Sequence, residues 1–343
     1  MKRSLTALVI FAGVLGFARA AQAEQPTLVV SAYAANVDQY RKDLFDPFER
    51  ICGCKVVLDL GNTAERLTKL DARKNNPNVD LAVMANYSAL EAVRKGLIDK
   101  IDVDQLPNYA KLFDFAKDPL GDHWAIGYTF YSNSIVYRTD KIPTIASWRD
   151  LWSPALKGRI ALPNIGISQA PLVLSMAETA FGGNSPKFET GIARIAELKD
   201  NVVTFYERSA QVIQLFQTDE IWAAPVGRFD WPALKALKMP LAWATLKEGQ
   251  GAGMNAMVLV KGSKNRDLAL RLIDYWLSTE VQTKLAMDLI DSPANREVQL
   301  PPETAQNLTY GVEPTQNLHF IPPADVLANR AAWLDGWNSS VAR

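Results

Sequence analysis

The sequence predicts an α/β protein folded as two lobes, with the chain crossing between them more than once. Three observations carry that expectation. Short apolar strand candidates alternate with segments of helical spacing, the pattern of a sheet covered on both faces. Once a leader at residues 1–23 is set aside, about 320 residues remain, more than one ordinary core organises. No repeat of fixed period and no low-complexity linker marks a boundary, so the lobes are expected to be discontinuous in sequence.

The leader has the three parts of a secretory signal peptide: Lys2 and Arg3, an apolar stretch at residues 5–17, and the small-residue site Ala21-Gln22-Ala23 before Glu24. Cleavage there places the protein in the periplasm, and no cysteine follows the site to take a lipid anchor. Removing Lys2, Arg3 and Arg19 moves the formal net charge from zero to about −3. No basic run marks a nucleic-acid partner, and no later stretch is long and apolar enough to span a membrane. The two cysteines, Cys52 and Cys54, flank Gly53. In an oxidising compartment they can close a small-ring disulfide, with Gly53 easing the backbone, or stand as free thiols; nothing marks an activated redox pair. Two cysteines make no zinc site, and no other metal or cofactor motif is present.

Taken in order, residues 28–30 form a strand candidate. Val37, Tyr40, Leu44, Phe45, Phe48 and Ile51 then recur mostly by three and four, predicting a helix with Asn36 as its N-cap and a kink or break at Pro47. A strand at 55–60, a helix at 64–75 and a buried strand at 80–84 follow. Further strands are expected at 135–137, 159–162 and 221–226, with helices at 171–181, 186–200, 209–216 and 231–237. A strand at 257–260 leads through Lys261-Gly262-Ser263 into a helix at 267–278.

Several ordered motifs run through this frame. Ser147-Trp148-Arg149-Asp150-Leu151-Trp152 reads as a helical turn, and Lys157-Gly158-Arg159-Ile160-Ala161-Leu162-Pro163 as a turn into a buried strand. Asp80-Leu81-Ala82-Val83-Met84 precedes Tyr87, and Arg94-Lys95-Gly96-Leu97-Ile98, Ala125-Ile126-Gly127-Tyr128, Glu248-Gly249 and Ser292-Pro293-Ala294-Asn295 follow in order. Together, over roughly residues 28–296, they resemble the spermidine/putrescine-binding family of periplasmic solute-binding proteins. The resemblance implies a two-lobed type II periplasmic-binding-protein fold with a ligand cleft between lobes. Lobe one is then expected from residues 26–129 plus 255–310, lobe two from 130–254, and residues 311–343 as a C-terminal helical segment packing on both. The implied role is capture of a small molecule by cleft closure and delivery to an ABC permease and its ATPase subunits, as a monomer without cofactor or catalytic residues.

At the ligand positions this chain departs from the family it resembles. Polyamine binders hold ammonium groups with carboxylates between aromatic walls, because a buried cation needs a charged partner and gains from ring faces. Here the corresponding places read Tyr33, Asn36 and Tyr87; the loop Asn164-Ile165-Gly166-Ile167-Ser168 replaces an acidic loop; and Gly253 and Asn255 stand for an aromatic and a carboxylate. Arg228, opening from the 221–226 strand, is the candidate clamp for an anionic group, and Asp291 the candidate partner of an amine. The expected ligand is a zwitterion or organic anion, with a polyamine as the alternative.

Each candidate also has a plainer reading. Arg228 can pair with Asp230, Asp291 can cap the turn after it, and Asn36 and Ser168 can cap helices. Tyr33 and Tyr87 can belong to the core, as Trp148 and Trp152 are expected to. Other functional classes are an enzyme on the same fold and a chemoreceptor-coupled sensor. His123 and His319 belong to no catalytic spacing, and the adjacent tyrosine pair expected of a ferric-ion binder is absent, Tyr128 and Tyr131 being three apart.

Overall fold

The computed structural model describes residues 25–199, 201–311 and 315–342. The leader at residues 1–23 lies outside the described residues. Among those described, no helix is long and apolar enough to cross a membrane.

Two long antiparallel strands, β5 (Ile126–Arg138) and β10 (Gln250–Val260), run through the middle of the molecule. On one side of β10 lie β3 (Leu81–Ala85), β1 (Thr27–Ala32) and β2 (Lys55–Leu60), the last three mutually parallel. On the other side of β5 lie β8 (Ala223–Gly227), β6 (Ile160–Pro163) and β7 (Val202–Tyr206). The first group builds lobe one and the second lobe two. Strand alternation feeds two apolar layers in each lobe. Leu81 and Val83 face one layer of lobe one with Leu28, Phe45 and Trp276, while Ala82 and Met84 face the other with Ala256 and Val258. In lobe two Ile135 and Tyr137 join one layer and Val136 the other.

The first helix differs instructively from its sequence pattern. It is three pieces: Val37–Tyr40, a π-helical turn Arg41–Phe45, and Asp46–Cys52, with Pro47 in the first turn of the last. A proline has no N–H to give, and the wider turn before it accommodates the loss without ending the helix. Asn36 does not cap it as expected. Its backbone is left-handed at φ 56°, and its side chain makes no capping bond. Asparagine tolerates that conformation, so the residue sets the chain's entry angle instead. Cys52 and Cys54 are joined as a disulfide around Gly53, itself left-handed at φ 63°.

The tryptophan motif is a 3-10 turn, Trp148–Trp152, capped by the Ser147 hydroxyl, which accepts from the Arg149 amide. It closes on the Glu248-Gly249 motif. Ser147 Oγ donates to Glu248 Oε1 at 2.5 Å, the Trp148 amide to Glu248 Oε2 at 3.2 Å, and the indole Nε1 to the Gly249 carbonyl at 3.0 Å. Trp148 is buried in lobe two, so the motif is a packing device.

Candidate functional site

Between the lobes is a cavity of about 600 Å³. All seven sequence candidates line it: Tyr33, Asn36, Tyr87, Ser168, Arg228, Asn255 and Asp291. The fold brings them together from strand ends and loops far apart in the chain, which is where α/β sheets place ligand crevices.

The lobe-one wall is internally bonded. Tyr33 donates its hydroxyl to Asn255 Oδ1 at 3.1 Å and receives a hydrogen bond from Thr63 Oγ1 at 3.3 Å. The Tyr33 ring lies 4.5 Å from the guanidinium carbon of Arg66. Arg66 is itself buried, donating to the carbonyls of Gly61, Ser31 and Val83. Deeper in the wall Tyr40 donates to Asp291 Oδ2 at 2.7 Å. Asp291 is only 7 % exposed. Burial, opposed by hydrogen bonds from Tyr40 and Thr129, pushes its carboxyl up to about 6. It is therefore a wall residue; it caps no turn. It is also the one carboxylate lining the cavity among the described residues.

A bulge shapes the middle of the cavity. β5 and β10 pair Asn255 with Thr129 and then Ala256 with Gly127, leaving Tyr128 as the extra residue. Four consecutive residues of β5, Tyr128 to Tyr131, line the cavity, Tyr128 and Phe130 packed into the lobe-one core and Tyr131 against the lobe-two core. Tyr131 is paired across the strands with Gly253, and a Cβ at 253 would collide with its ring and hydroxyl. Gly253 thus leaves room for the Tyr131 ring, which lines the cavity from the neighbouring strand. Burial pushes the Tyr131 hydroxyl up to about 12, moderated by a hydrogen bond with Ser168. Ser168 does not cap the helix Gln169–Ala180; its backbone is already helical at φ −62° and its side chain makes no capping bond. Tyr87 lies in the first turn of the helix Asn86–Arg94.

On lobe two Arg228 leaves β8 in the short turn Arg228–Asp230. The ion pair with Asp230 does not form. Asp230 turns inward to Gln169, whose Nε2 lies 3.4 Å from its Oδ2, and burial pushes its carboxyl up to about 6. Arg228 packs its guanidinium 4.4 Å from the Trp243 ring centroid and donates Nη2 to the Gln306 carbonyl at 2.6 Å. Its Nε–H is buried with no partner, and no carboxylate lies within ion-pair distance among the described residues. Burial lowers its pKa to about 10, which leaves it charged at neutral pH. An arginine that lines a cavity and has no carboxylate to neutralise it is equipped to bind an anion. Beside it the Phe229 ring stands 5.2 Å from Tyr131, roughly edge-on.

Sequence reasoning missed Tyr40, Tyr128, Tyr131 and Phe229 as wall residues, and Arg66 beneath them. Tyr128 and Tyr131 were visible as a spaced pair, but strand alternation alone would put them on opposite faces.

The chain matches the family model for a bacterial extracellular solute-binding protein over residues 43–310. It is 26% identical over 283 residues to a spermidine/putrescine-binding periplasmic protein of Salmonella typhimurium, covering 79% of this chain and 78% of that protein. It is also 26% identical over 306 residues to a putrescine/cadaverine-binding protein of Pseudomonas aeruginosa, covering 81% and 80%. The crystal structure of an ABC transporter protein from Clostridium perfringens superposes with a TM-score of 0.85 at 34% identity, covering 91% of this chain and 99% of that one.

Proposed function

The chain belongs to the family of bacterial extracellular solute-binding proteins, and from that premise we propose that it serves an ABC importer by capturing a zwitterionic or anionic organic solute in the cleft. The observation that carries the ligand class is Arg228: charged, lining the cavity, stacked on Trp243 and, among the described residues, unpaired with any carboxylate. Opposite it Asp291 is the partner for an amine, and Tyr33, Tyr87 and Tyr131 wall the solute between them. The relatives named above bind polyamines, which favours the same role with a dicationic cargo. A single buried carboxylate, shifted toward neutrality and already bonded to Tyr40, is poor provision for two ammonium groups.

The remaining parts of the reading follow from the same premise. Lobe one is taken as residues 26–129 and 255–310, lobe two as 130–254, with closure about β5 and β10 presenting a shape that a permease and its ATPase subunits recognise. The ligand drives closure by touching both lobes. The periplasm is the compartment, as for the relatives whose names state it. Binding without turnover fits a cavity that neither His123 nor His319 lines and in which both cysteines take no part.

A thermal-shift screen of the purified protein tests the ligand class, since a solute that binds the folded state raises its melting temperature. Putrescine and spermidine are compared with 4-aminobutyrate, glutamate and 3-aminopropylphosphonate. The expected result is stabilisation by members of the second group, reduced on Arg228→Ala by roughly 30-fold in affinity. Stabilisation by the polyamines alone, or anion binding that Arg228→Ala leaves untouched, overturns the assignment.

A further inference from the structure

The family match ends at residue 310, but the cleft wall continues beyond it. The tail returns to the sheet as β12 (Leu318–Phe320), parallel to β10, and then forms the 18-residue helix Pro323–Ser340. Aromatic anchors fix this helix on lobe two. Trp333 stacks on Phe188 at 4.8 Å with the rings 14° from parallel, and its Nε1 donates to the Pro186 carbonyl at 2.9 Å. Trp337 meets Phe205 edge-on at 5.0 Å. Gly336 permits the close approach, since a Cβ there would lie 2.9 Å from Ile192 Cδ1. The other side of the helix packs against Asn86–Arg94 of lobe one.

Held in that register, the helix turns one stripe to the cavity. Val326, Arg330 and Leu334, four residues apart, line it together with Trp333. Three of these are apolar, and the fourth is an exposed arginine with no hydrogen-bond or ion-pair partner among the described residues. The acidic residues of the same helix, Asp325 and Asp335, are five positions away and so on other faces. The charged lining is then Arg228 and Arg330 against Asp291 alone. One arginine and one carboxylate match a neutral zwitterion; a second arginine calls for a further negative charge.

We propose that Arg330 is a specificity-determining residue of the cleft, supplied by the C-terminal helix, and that it selects solutes with a net negative charge over neutral zwitterions. This rests on the reading that the cleft binds anions through Arg228. Its chemistry is that of an exposed cation lining the cleft: the guanidinium takes the second carboxylate, or the second charge of a phosphonate, while Arg228 takes the first.

The test is a calorimetric titration at pH 8 with 4-aminobutyrate, which has one carboxylate, glutamate, which adds a second to the same chain, and 3-aminopropylphosphonate. The native protein is expected to bind glutamate or the phosphonate at least tenfold more tightly than 4-aminobutyrate. Arg330→Ala is expected to erase that ratio while leaving 4-aminobutyrate affinity within about twofold, and Arg330→Lys to restore part of it. Because Arg330 is exposed, both variants are expected to melt with the native protein, which separates specificity from folding. An unchanged ratio in Arg330→Ala, or equal native affinity for all three compounds, overturns the role of Arg330 and leaves the Arg228 reading standing. Loss of the premise shows differently: Arg228→Ala then has no effect, or none of the three compounds binds.

Discussion

The two walls of the cleft handle their polar groups in opposite ways. Lobe one spends its hydrogen bonds internally: Thr63 to Tyr33, Tyr33 to Asn255 and Tyr40 to Asp291, with Arg66 locked under Tyr33 by three backbone carbonyls. Lobe two leaves capacity unspent. Arg228 meets no carboxylate among the described residues and its Nε–H is buried without a partner, and Phe229 is 49 % exposed. Arg66 also keeps a buried, unpartnered Nη2, but it does not line the cavity, and the lobe-one groups that do are bonded to one another, so that wall holds its shape without ligand and contributes form. A wall that presents an arginine without a carboxylate partner gains from an anionic ligand and contributes charge selection. The difference assigns shape to lobe one and charge to lobe two, and each assignment can be broken separately.

The largest expected effect is on lobe one and concerns stability. Asp291 has its carboxyl raised from 3.8 to about 6 by burial. A raised carboxyl favours the protonated native form, so this residue costs nothing below about pH 4 and costs most above pH 6. Asp291→Asn keeps an acceptor for the Tyr40 hydroxyl and removes the buried charge. It should stabilise the empty protein at pH 7.5 by up to about 3 kcal/mol, a rise of several degrees in melting temperature, with the gain vanishing toward pH 4. The same variant should weaken solutes bearing an amine. A variant that melts lower at pH 7.5 would show that the charge is needed to hold the lobe-one wall together.

The next effect falls where the lobes meet. Gly253→Leu puts a side chain where the Tyr131 ring lies, and the atoms that must give are the far end of that ring rather than backbone. The expected outcome is at least tenfold weaker binding by calorimetry with the melting temperature nearly unchanged. Gly191→Ala is the contrast. There a Cβ would meet the Leu174 carbonyl in the middle of the helix Gln169–Ala180, which cannot swing aside, so stability of lobe two should fall with no specific change in the cleft.

Much of the fold was legible because it depends on local patterns. The buried run at 80–84 became β3, shifted by one residue, and the capping residues at Ser147 worked as their types predict. β10 was legible only over its last four residues. Its first part carries Gly251, Gly253 and Asn255, poor strand formers whose identities answer to the cleft. The same division runs through the site. Tyr33 and Asn255 could be named from motif order, but their hydrogen bond spans 222 positions and is made by sheet pairing that no local pattern encodes. Arg66 reads as a solvent-facing helix residue and is buried instead, because the helix Thr63–Ala72 packs that face onto the ends of β1 and β3. Arg330 sits amid apolar neighbours at helical spacing, and which surface that stripe would meet depends on where the tail docks.

The smallest effect is the sharpest test of lobe two as the charge-selecting wall. Arg228 is held from behind by a ring face, its guanidinium carbon 4.4 Å from the Trp243 centroid, while Trp243 is itself tied by Nε1 to Gln250 Oε1 at 3.3 Å. A ring face attracts the cation without neutralising it, so its charge stays available to the cleft. A carboxylate in the same place would hold Arg228 more firmly but would neutralise it. Trp243→Ala should therefore weaken binding of the stabilising anion about fivefold, the value of one cation–π contact, and leave the polyamines as they were. Trp243→Phe should recover most of the loss. If Trp243→Ala instead binds the anion as tightly as the native protein, the ring is mere packing and Arg228 is positioned by Gln306 and by the Trp231 ring, 5.8 Å from its guanidinium carbon. Charge alone would then suffice, and Arg228→Lys, which keeps the charge and gives up the fork, should bind as well as the native residue.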